Sequence, residues 1–303
     1  MQSLAFKYFV EVAQRGSLSA ASESLEVAIS AISRQISQLE QRVGAPLFER
    51  GVRGMTLTAS GRLLLSHAQR QTLETEATLQ EIARLQGMEQ SHIRIACSQG
   101  LANEMVPKAI ADFQRLRPGT TFALWVGGAV AASERVAAGE SDMAITFSTR
   151  PVSNVVVHYA HRSPALAIMH RDHPLAGRPR LSLTELKAYP IALTDTTTST
   201  RKLFDMACNM SGLSIEPVLN SNYAEALHAY VRNSQGILFA SYVSMADRLV
   251  RNDLVAVPVT DAEMHSRSIQ VQLMKDRLLP PAIREFIDLI VQDLEAKRQA
   301  EPS

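Results

Sequence analysis

The apolar residues of this 303-residue chain change period once, near Gly87. Before that point they recur every three or four positions and no convincing strand pattern interrupts them; from Ile93 onward short β-rich runs alternate with helical stretches. Helices and strands bury side chains at different periods, so a chain with such a break does not close around a single core. The break predicts an all-helical head over 1–60, a connecting helix over 61–90 and an α/β body over 91–303. At roughly 100 to 200 residues per domain, the length suits that division.

In the head, Phe6, Phe9, Val10 and Ala13 give Leu4 to Arg15 the spacing of an amphipathic helix, which Gly16 ends. Ser17 is placed to cap a second helix, Leu18 to Leu25, buried through Leu18, Ala21 and Leu25. A third carries apolar residues at Ile29, Ile32, Ile36, Leu39 and Val43 and stops at Gly44, with Pro46 just beyond. Arg50-Gly-Val-Arg-Gly follows as a tight basic turn. A long helix then begins at Thr58 and is free of Gly and Pro from Arg62 to Gln86. Three short helices with a tight turn between the second and third form a helix-turn-helix, whose last helix enters the DNA major groove.

The outer face of that third helix carries the functional signal. With Ile32, Ile36, Leu39 and Val43 turned inward, Ser30, Arg34, Ser37, Gln38 and Gln41 form the opposite stripe, with Ser33 on its flank. No acidic residue occurs from Val27 to Leu39. A surface that meets phosphates and base edges benefits from excluding carboxylates and offering short donors, Gln and Arg. Charge distribution agrees: residues 1–70 hold eight Lys+Arg against five Asp+Glu, although the whole chain is only +1. Ser30, Ser33, Arg34, Ser37 and Gln38 are therefore the expected DNA contacts, joined by Arg50 and Arg53 in the Gly-punctuated turn. Gln41 and Arg42 read as backbone contacts or solvated residues.

The run from Ser17 to Arg62 resembles the N-terminal winged helix-turn-helix of LysR-type transcriptional regulators. It carries Ala20-Ala21 with Leu25, Ser33-Arg-Gln-Ile36, Leu39-Glu40, Leu47-Phe-Glu-Arg50 and Leu57-Thr-Ala-Ser-Gly61 in the family's register. It departs at Ala28 and Ile29, where members commonly have Ser or Thr followed by Gln. Ala28 offers no N-cap oxygen, so Ser30, water or a DNA phosphate must meet the first amides. Ile29 either touches a thymine methyl or, as its helical phase favours, completes the inward stripe. The resemblance implies an α+β multidomain protein: an N-terminal all-α winged helix-turn-helix, a long linker helix, and a C-terminal α/β, periplasmic-binding-protein-like effector domain of two subdomains. These would span about 91–162 with 267–303, and about 163–266, the chain crossing between them near His161 to Pro164 and Met264 to Arg267.

Leu65, Ala68, Thr72, Thr75, Leu79 and Ile82 form a weak heptad seam along the linker helix. Pairing with a second copy would cover it, and a dimer presents two recognition helices to one side, so the expected target is duplex DNA with an interrupted inverted repeat. Packing on the chain's own body is the alternative. The resemblance implies a homodimer or homotetramer and leaves RNA polymerase open as a further partner.

In the body, ligands of open α/β sheets sit at the carboxyl ends of strands. Ile93 to Cys97 is followed by Ser98, Gln99 and Gly100, opening a helix whose amides favour an anion; Phe122 to Val126 by Gly127 and Gly128; Met143 to Ile145 by Thr146 and Phe147. Thr196, Thr197 and Thr198 follow Ile191 to Thr194, and Asn222 precedes a helix. Hydroxyls, amides and backbone nests of this kind suit a small carboxylate. In the family the corresponding segments line an effector cleft, so a small organic anion is the expected effector. For the threonine loop, turn and cap chemistry is an equal alternative. Strand and helix in alternation predict mainly parallel sheets.

Other functions find less support. There is no Gly-x-Ser-x-Gly elbow, no phosphate-binding Gly-x-x-x-x-Gly-Lys-Ser/Thr and no dinucleotide fingerprint, so no catalytic residue and no cofactor is expected. His158 with His161, and His170 with His173, sit three apart, which on a strand points them to opposite faces and spoils a metal site. Cys97 and Cys208, the only thiols, fall in different subdomains and make a disulfide sensor a poor reading. Without a signal-peptide or membrane-length apolar run, a cytoplasmic location is expected, away from membranes.

Overall fold

The computed structural model describes residues 3–51, 54–85, 91–148, 151–251 and 253–302. They fall into two compact units: one contains the head and linker helix with residues 276–278, the other the rest of the body.

The head begins with α1 (Leu4–Arg15), α2 (Leu18–Leu25) and α3 (Ile29–Val43). Gly16 and Gly44 end α1 and α3 in the left-handed region, and the Ser17 hydroxyl accepts the Ala20 amide at the start of α2. Between α2 and α3, Glu26 turns through φ 53°, and the Ser22 hydroxyl donates to the Val27 carbonyl at 2.6 Å. Ala5, Tyr8, Phe9 and Val12 of α1 pack with Ala21, Ile32, Ile36, Leu39, Leu47 and Phe48. The α1 stripe is thus centred on Tyr8 and Phe9, because a tyrosine ring buries like an apolar group when its hydroxyl can reach the surface. Phe6, Val10 and Ala13 only flank it.

The expected basic turn is in fact a hairpin, β1 (Phe48–Gly51) and β2 (Gly54–Leu57), paired antiparallel from Phe48–Leu57 to Gly51–Gly54. Four-residue strands are too short to show alternation, and flanking glycines disguise them. The linker helix α4 (Ala59–Leu85) has 27 residues, about 40 Å of rise. Its seam divides: Ala68 is fully buried and Leu65 joins the head core, whereas Leu79 and Ile82 are 61% and 47% exposed.

The body continues with β3 (Ser91–Cys97), α5 (Gln99–Ala102), α6 (Met105–Leu116), β4 (Thr120–Val126), α7 (Ala129–Ala137), β5 (Met143–Ser148) and β6 (Val155–Arg162). There follow β7 (Leu166–His170), α8 (Leu183–Leu186), β8 (Ile191–Thr194), α9 (Ser199–Met210), β9 (Leu219–Ser221), α10 (Ala224–Arg232), β10 (Ile237–Ala240), α11 (Tyr242–Arg251) and β11 (Leu254–Val257). A 3-10 turn at Ala262–His265 leads to β12 (Ser268–Met274) and α12 (Pro281–Gln299). Two five-stranded sheets result, ordered β4-β3-β5-β12-β6 and β11-β7-β10-β8-β9.

Both sheets are mixed, which corrects the expectation of mainly parallel ones. β3 runs parallel to β4 and β5, but β12 is antiparallel to β5 and β6; β8 runs parallel to β9 and β10, but β7 is antiparallel to β10 and β11. The antiparallel strands are those next to the passages from sheet to sheet, where chain direction reverses without a covering helix. The first core is centred on Phe113 and Phe286, with edge-on rings 5.3 Å apart, against Ile95, Ile145 and Val271. The second packs Leu203, Phe204 and Ala207 of α9 on Ile191, Leu193 and Phe239.

Candidate nucleic-acid interface and ligand cleft

On α3, Ser30, Arg34, Ser37 and Gln38 are exposed and Ser33 is half-buried, opposite Ile32, Ile36 and Leu39. Two side chains depart from the expected stripe. Ile29 is 45% and Val43 44% exposed, so the buried seam has only the three residues between them. The reason is positional: they are the first and last residues of α3. No side chain caps α3 at Ala28, leaving its first turn open to an anion.

The hairpin is fixed to α3 by Glu40. One oxygen of its carboxylate accepts the amides of Leu47 at 2.7 Å and Phe48 at 3.3 Å. Met55 donates its amide to the Gly16 carbonyl at 2.8 Å, so the other strand is tied to the end of α1. Thr58 joins hairpin to linker: its amide donates to Leu47, its hydroxyl donates to the Pro46 carbonyl and accepts the Gly61 amide. Arg50 lies on β1 opposite Met55; Arg53 lies outside the described residues. Glu40→Ala leaves two partly buried amides without their acceptor and is expected to destabilise the head by about 1–3 kcal/mol. Thermal denaturation checks this, with Glu40→Gln, which retains an acceptor oxygen, losing less.

In the body, a cavity of about 320 Å³ opens where the strands of both sheets end. Ser98, Gln99, Gly100, Gly127, Gly128, Phe147, Thr197, Thr198 and Asn222 all line it, as strand-end reasoning expects. Two expected residues do not. Thr146 is fully buried and bonds the Ser98 hydroxyl at 2.7 Å, so it sets the orientation of a lining residue instead. Thr196 lines an adjoining recess with Val152 and Lys202. Helix α5, with four residues, is too short to supply the expected dipole. The first turns of α7 and α9 line the cavity in its place, at Ala129 and at Ser199 and Thr200. The threonine loop also does the cap chemistry weighed as its alternative: Thr198 caps α9 by accepting the Arg201 amide, and Asp195 accepts the Thr197 amide at 2.8 Å. Gly127 is required by close approach, since a Cβ there would lie 2.2 Å from the Trp125 ring.

Sequence reading missed His228 and Arg267, both lining and both buried. Neither stands at a strand's carboxyl end beside a turn, and their partners lie far along the chain. Arg248 of α11 bonds Glu225 at 2.7 Å, approaches Glu104 at 3.3 Å, and donates to His228 Nδ1 at 2.8 Å; Asn103 donates to Glu225 at 2.6 Å. This network ties the α5–α6 junction to α10 and α11. Burial, then the Arg248 charge, hold His228 below the usual imidazole range; burial likewise depresses His161 and His173. Burial opposes ionisation of Glu225, but the Arg248 bonds outweigh it and lower its pKa.

Groups whose folded pKa is depressed bind fewer protons folded than unfolded, so stability is lost as pH falls from the unfolded value towards the folded one. The three histidines set that window below 6.5, and Glu225 extends it to lower pH. Between about pH 7.5 and about pH 5.5 the histidines therefore give the melting temperature a slope downward as pH falls, opposed by Glu301, whose pKa burial raises to about 7. His228→Gln, which retains an acceptor for Arg248, should flatten that slope.

Among the described residues no three His, Cys, Asp or Glu side chains gather as a metal site. His158 is exposed and His161 buried, on opposite faces of β6, while His173 Nδ1 accepts the Leu175 amide within a turn. Cys97 and Cys208 sit in separate cores; burial pushes the Cys97 thiol up to about 12 and raises Cys208 as well. Among the described residues, no helix is long and apolar enough to cross a membrane.

Comparison with known proteins places both units. The model of the LysR substrate binding domain matches residues 86–295, and that of the bacterial regulatory helix-turn-helix protein, lysR family, matches residues 4–62. The HTH-type transcriptional activator CmpR of Synechocystis sp. is 26% identical over 295 residues, 96% of this chain and 95% of that protein. A probable RuBisCO transcriptional regulator of Porphyra purpurea is 31% identical over 247 residues, 78% of this chain and 77% of its own length. Among solved structures, a full-length OxyR variant of Pseudomonas aeruginosa superposes with TM-score 0.64 at 16% identity, covering 97% of this chain and 95% of the other. Full-length CbnR complexed with its target DNA gives 0.52 at 20% identity, covering 97% and 99%.

Proposed function

This chain belongs to the LysR family of DNA-binding transcriptional regulators, which are not enzymes, and from that premise we propose that a small organic anion in the strand-end cavity controls its binding to an interrupted inverted repeat. The single observation that carries the DNA half is the exposed face of α3, which presents Ser30, Arg34, Ser37 and Gln38 with no carboxylate from Val27 to Leu39. Arg34 forks onto guanine, Ser30 and Ser33 reach base edges or phosphates, and Gln38 pairs with adenine or a phosphate. Arg50 and Arg53, in the basic run of sequence that follows α3, add phosphate or minor-groove contacts.

The effector half rests on the cavity. Ser98, Gln99, Gly100, Gly127, Gly128, Phe147, Thr197, Thr198 and Asn222 surround the ligand, with Thr146 acting through Ser98 and Thr196 from the adjoining recess. A ligand that favours one relative orientation of the two sheets changes the protein's DNA geometry, provided it binds the orientations unequally. The exposed Leu79 and Ile82 of α4 suit pairing with a second copy, giving a homodimer or a homotetramer. Such a regulator acts in the cytoplasm, and contact with RNA polymerase fits an activating role.

Selection of duplexes from a random pool by the purified full-length chain tests the reading. Recovered sites should share a two-fold pattern, and retention should weaken steeply with salt. Small carboxylates should change that retention. Salt-insensitive recovery of unrelated sequences would sink the proposal.

A further inference from the structure

The first turn of α3 presents hydrocarbon to its surroundings. Ala28, Ile29 and Ser30 are all exposed there, and the first two carry no side-chain atom that can donate or accept a hydrogen bond. Ile29 is 45% exposed and has no place in the head core, whose members from α3 are Ile32, Ile36 and Leu39. A side chain of that size left half in water forgoes the burial that the two isoleucines further along the helix obtain. Its β-branched carbons are held by the helix in essentially one rotamer, so a contact made through them loses little side-chain freedom.

The residues at the start of a helix that enters the major groove are the ones brought to base edges. That groove displays donors and acceptors and one apolar group, the C5-methyl of thymine. Against the edge of guanine, cytosine or adenine, Ile29 would strip water from polar groups and offer nothing in return. Against thymine it covers a methyl that gains by leaving water. Ser33 stands one turn on along the same flank, half-buried, and the exposed Arg34 and Gln38 lie further round. The helix thus brings two chemistries to DNA: apolar contact from its first turn and hydrogen bonds from its middle.

We propose that Ile29 reads the C5-methyl of a thymine, selecting that base by apolar contact where Arg34 and Gln38 select theirs by hydrogen bonds. This rests on reading α3 as the helix that enters the major groove, and it deepens that reading by assigning one further base and the group recognised on it. Val43 supplies an internal control. It is exposed to the same degree, 44%, but closes the opposite end of the helix beside Gly44, away from the turn that leads into the groove.

The test uses the full-length chain and duplexes recovered from the random pool. Each thymine is replaced in turn by deoxyuridine, which removes the methyl and leaves base pairing unchanged, and affinity is read by fluorescence anisotropy. At one thymine of each half-site, loss of the methyl should weaken binding about three- to fivefold, the worth of one buried methyl group. Ile29→Ala should weaken the thymine duplex by at least that factor and bind the thymine and deoxyuridine duplexes equally. Ile29→Val should keep part of the preference, and Val43→Ala all of it. No deoxyuridine penalty at any position, or penalties that all survive in Ile29→Ala, overturns the inference. The deoxyuridine scan on the wild-type chain can overturn it even where a variant fails to fold. Arg34→Ala on the same duplexes separates the two ideas. If it weakens binding while neither the methyl nor Ile29 matters, the thymine assignment alone fails; if it too changes nothing, the reading of α3 fails with it.

Discussion

Arg34→Ala is expected to lower affinity for the protein's selected duplex about ten- to a hundredfold, since a bidentate arginine–guanine pair is worth roughly 1–3 kcal/mol. The residue is exposed in the middle of the outward face of α3, so its removal should leave stability within about 0.5 kcal/mol of wild type. Sequence preference should relax at the base pair it reads. Arg42, in the last turn of the same helix, provides the contrast. Its replacement by alanine should weaken all duplexes alike and lower the salt slope by about one ion. Fluorescence anisotropy against selected and scrambled duplexes at several salt concentrations distinguishes the two patterns. If Arg34→Ala changes neither affinity nor preference, α3 does not read DNA in the manner proposed.

Gly61→Ala should be the more damaging change to the fold. A Cβ at that position would stand 2.1 Å from the Leu47 carbonyl oxygen and 2.9 Å from Leu57 Cδ2. The Leu47 carbonyl cannot retreat freely, because it accepts the Thr58 amide at 3.0 Å while the Thr58 hydroxyl holds Pro46 at 2.7 Å. Relief therefore disturbs the joint between hairpin and linker helix, at an expected cost of about 3 kcal/mol. Gly51→Ala, where nothing lies within 4 Å, should stay within about 1 kcal/mol of wild type. Equal melting temperatures for the two variants would show that the joint is softer than its contacts imply. Loss of duplex binding should accompany the first substitution, since the same joint positions α3 through Glu40.

Local signals carried most of the head. α1 ends, α2 begins and α3 ends where a cap or glycine predicts, because Gly16, Ser17 and Gly44 act within a few residues of themselves. The hairpin escaped detection for want of length, and Ile29 was misplaced because helical phase says nothing about where a neighbour's surface stops. In the body, most strands are short apolar runs bounded by turns and were legible as such; β9, with three residues, was not. Strand direction had no local signature, so the antiparallel β7 and β12 were invisible. The cavity was legible wherever it uses strand ends, as at Ser98, Gly127 and Phe147. It was illegible where a side chain finds partners across the chain: Arg267 bonds Ser163, 104 positions away, and no periodicity encodes that meeting.

The chain contains a single tryptophan, and its place gives the protein a built-in optical probe. Trp125 lies with its ring over Gly127, whose backbone belongs to the cavity wall, and the Arg135 guanidinium stands 5.0 Å from the ring centroid. A cation over an indole face and a glycine beneath it make that emission sensitive to small displacements of the wall. Occupancy can accordingly be followed in unlabelled protein by colour and intensity of emitted light, with no background from a second indole.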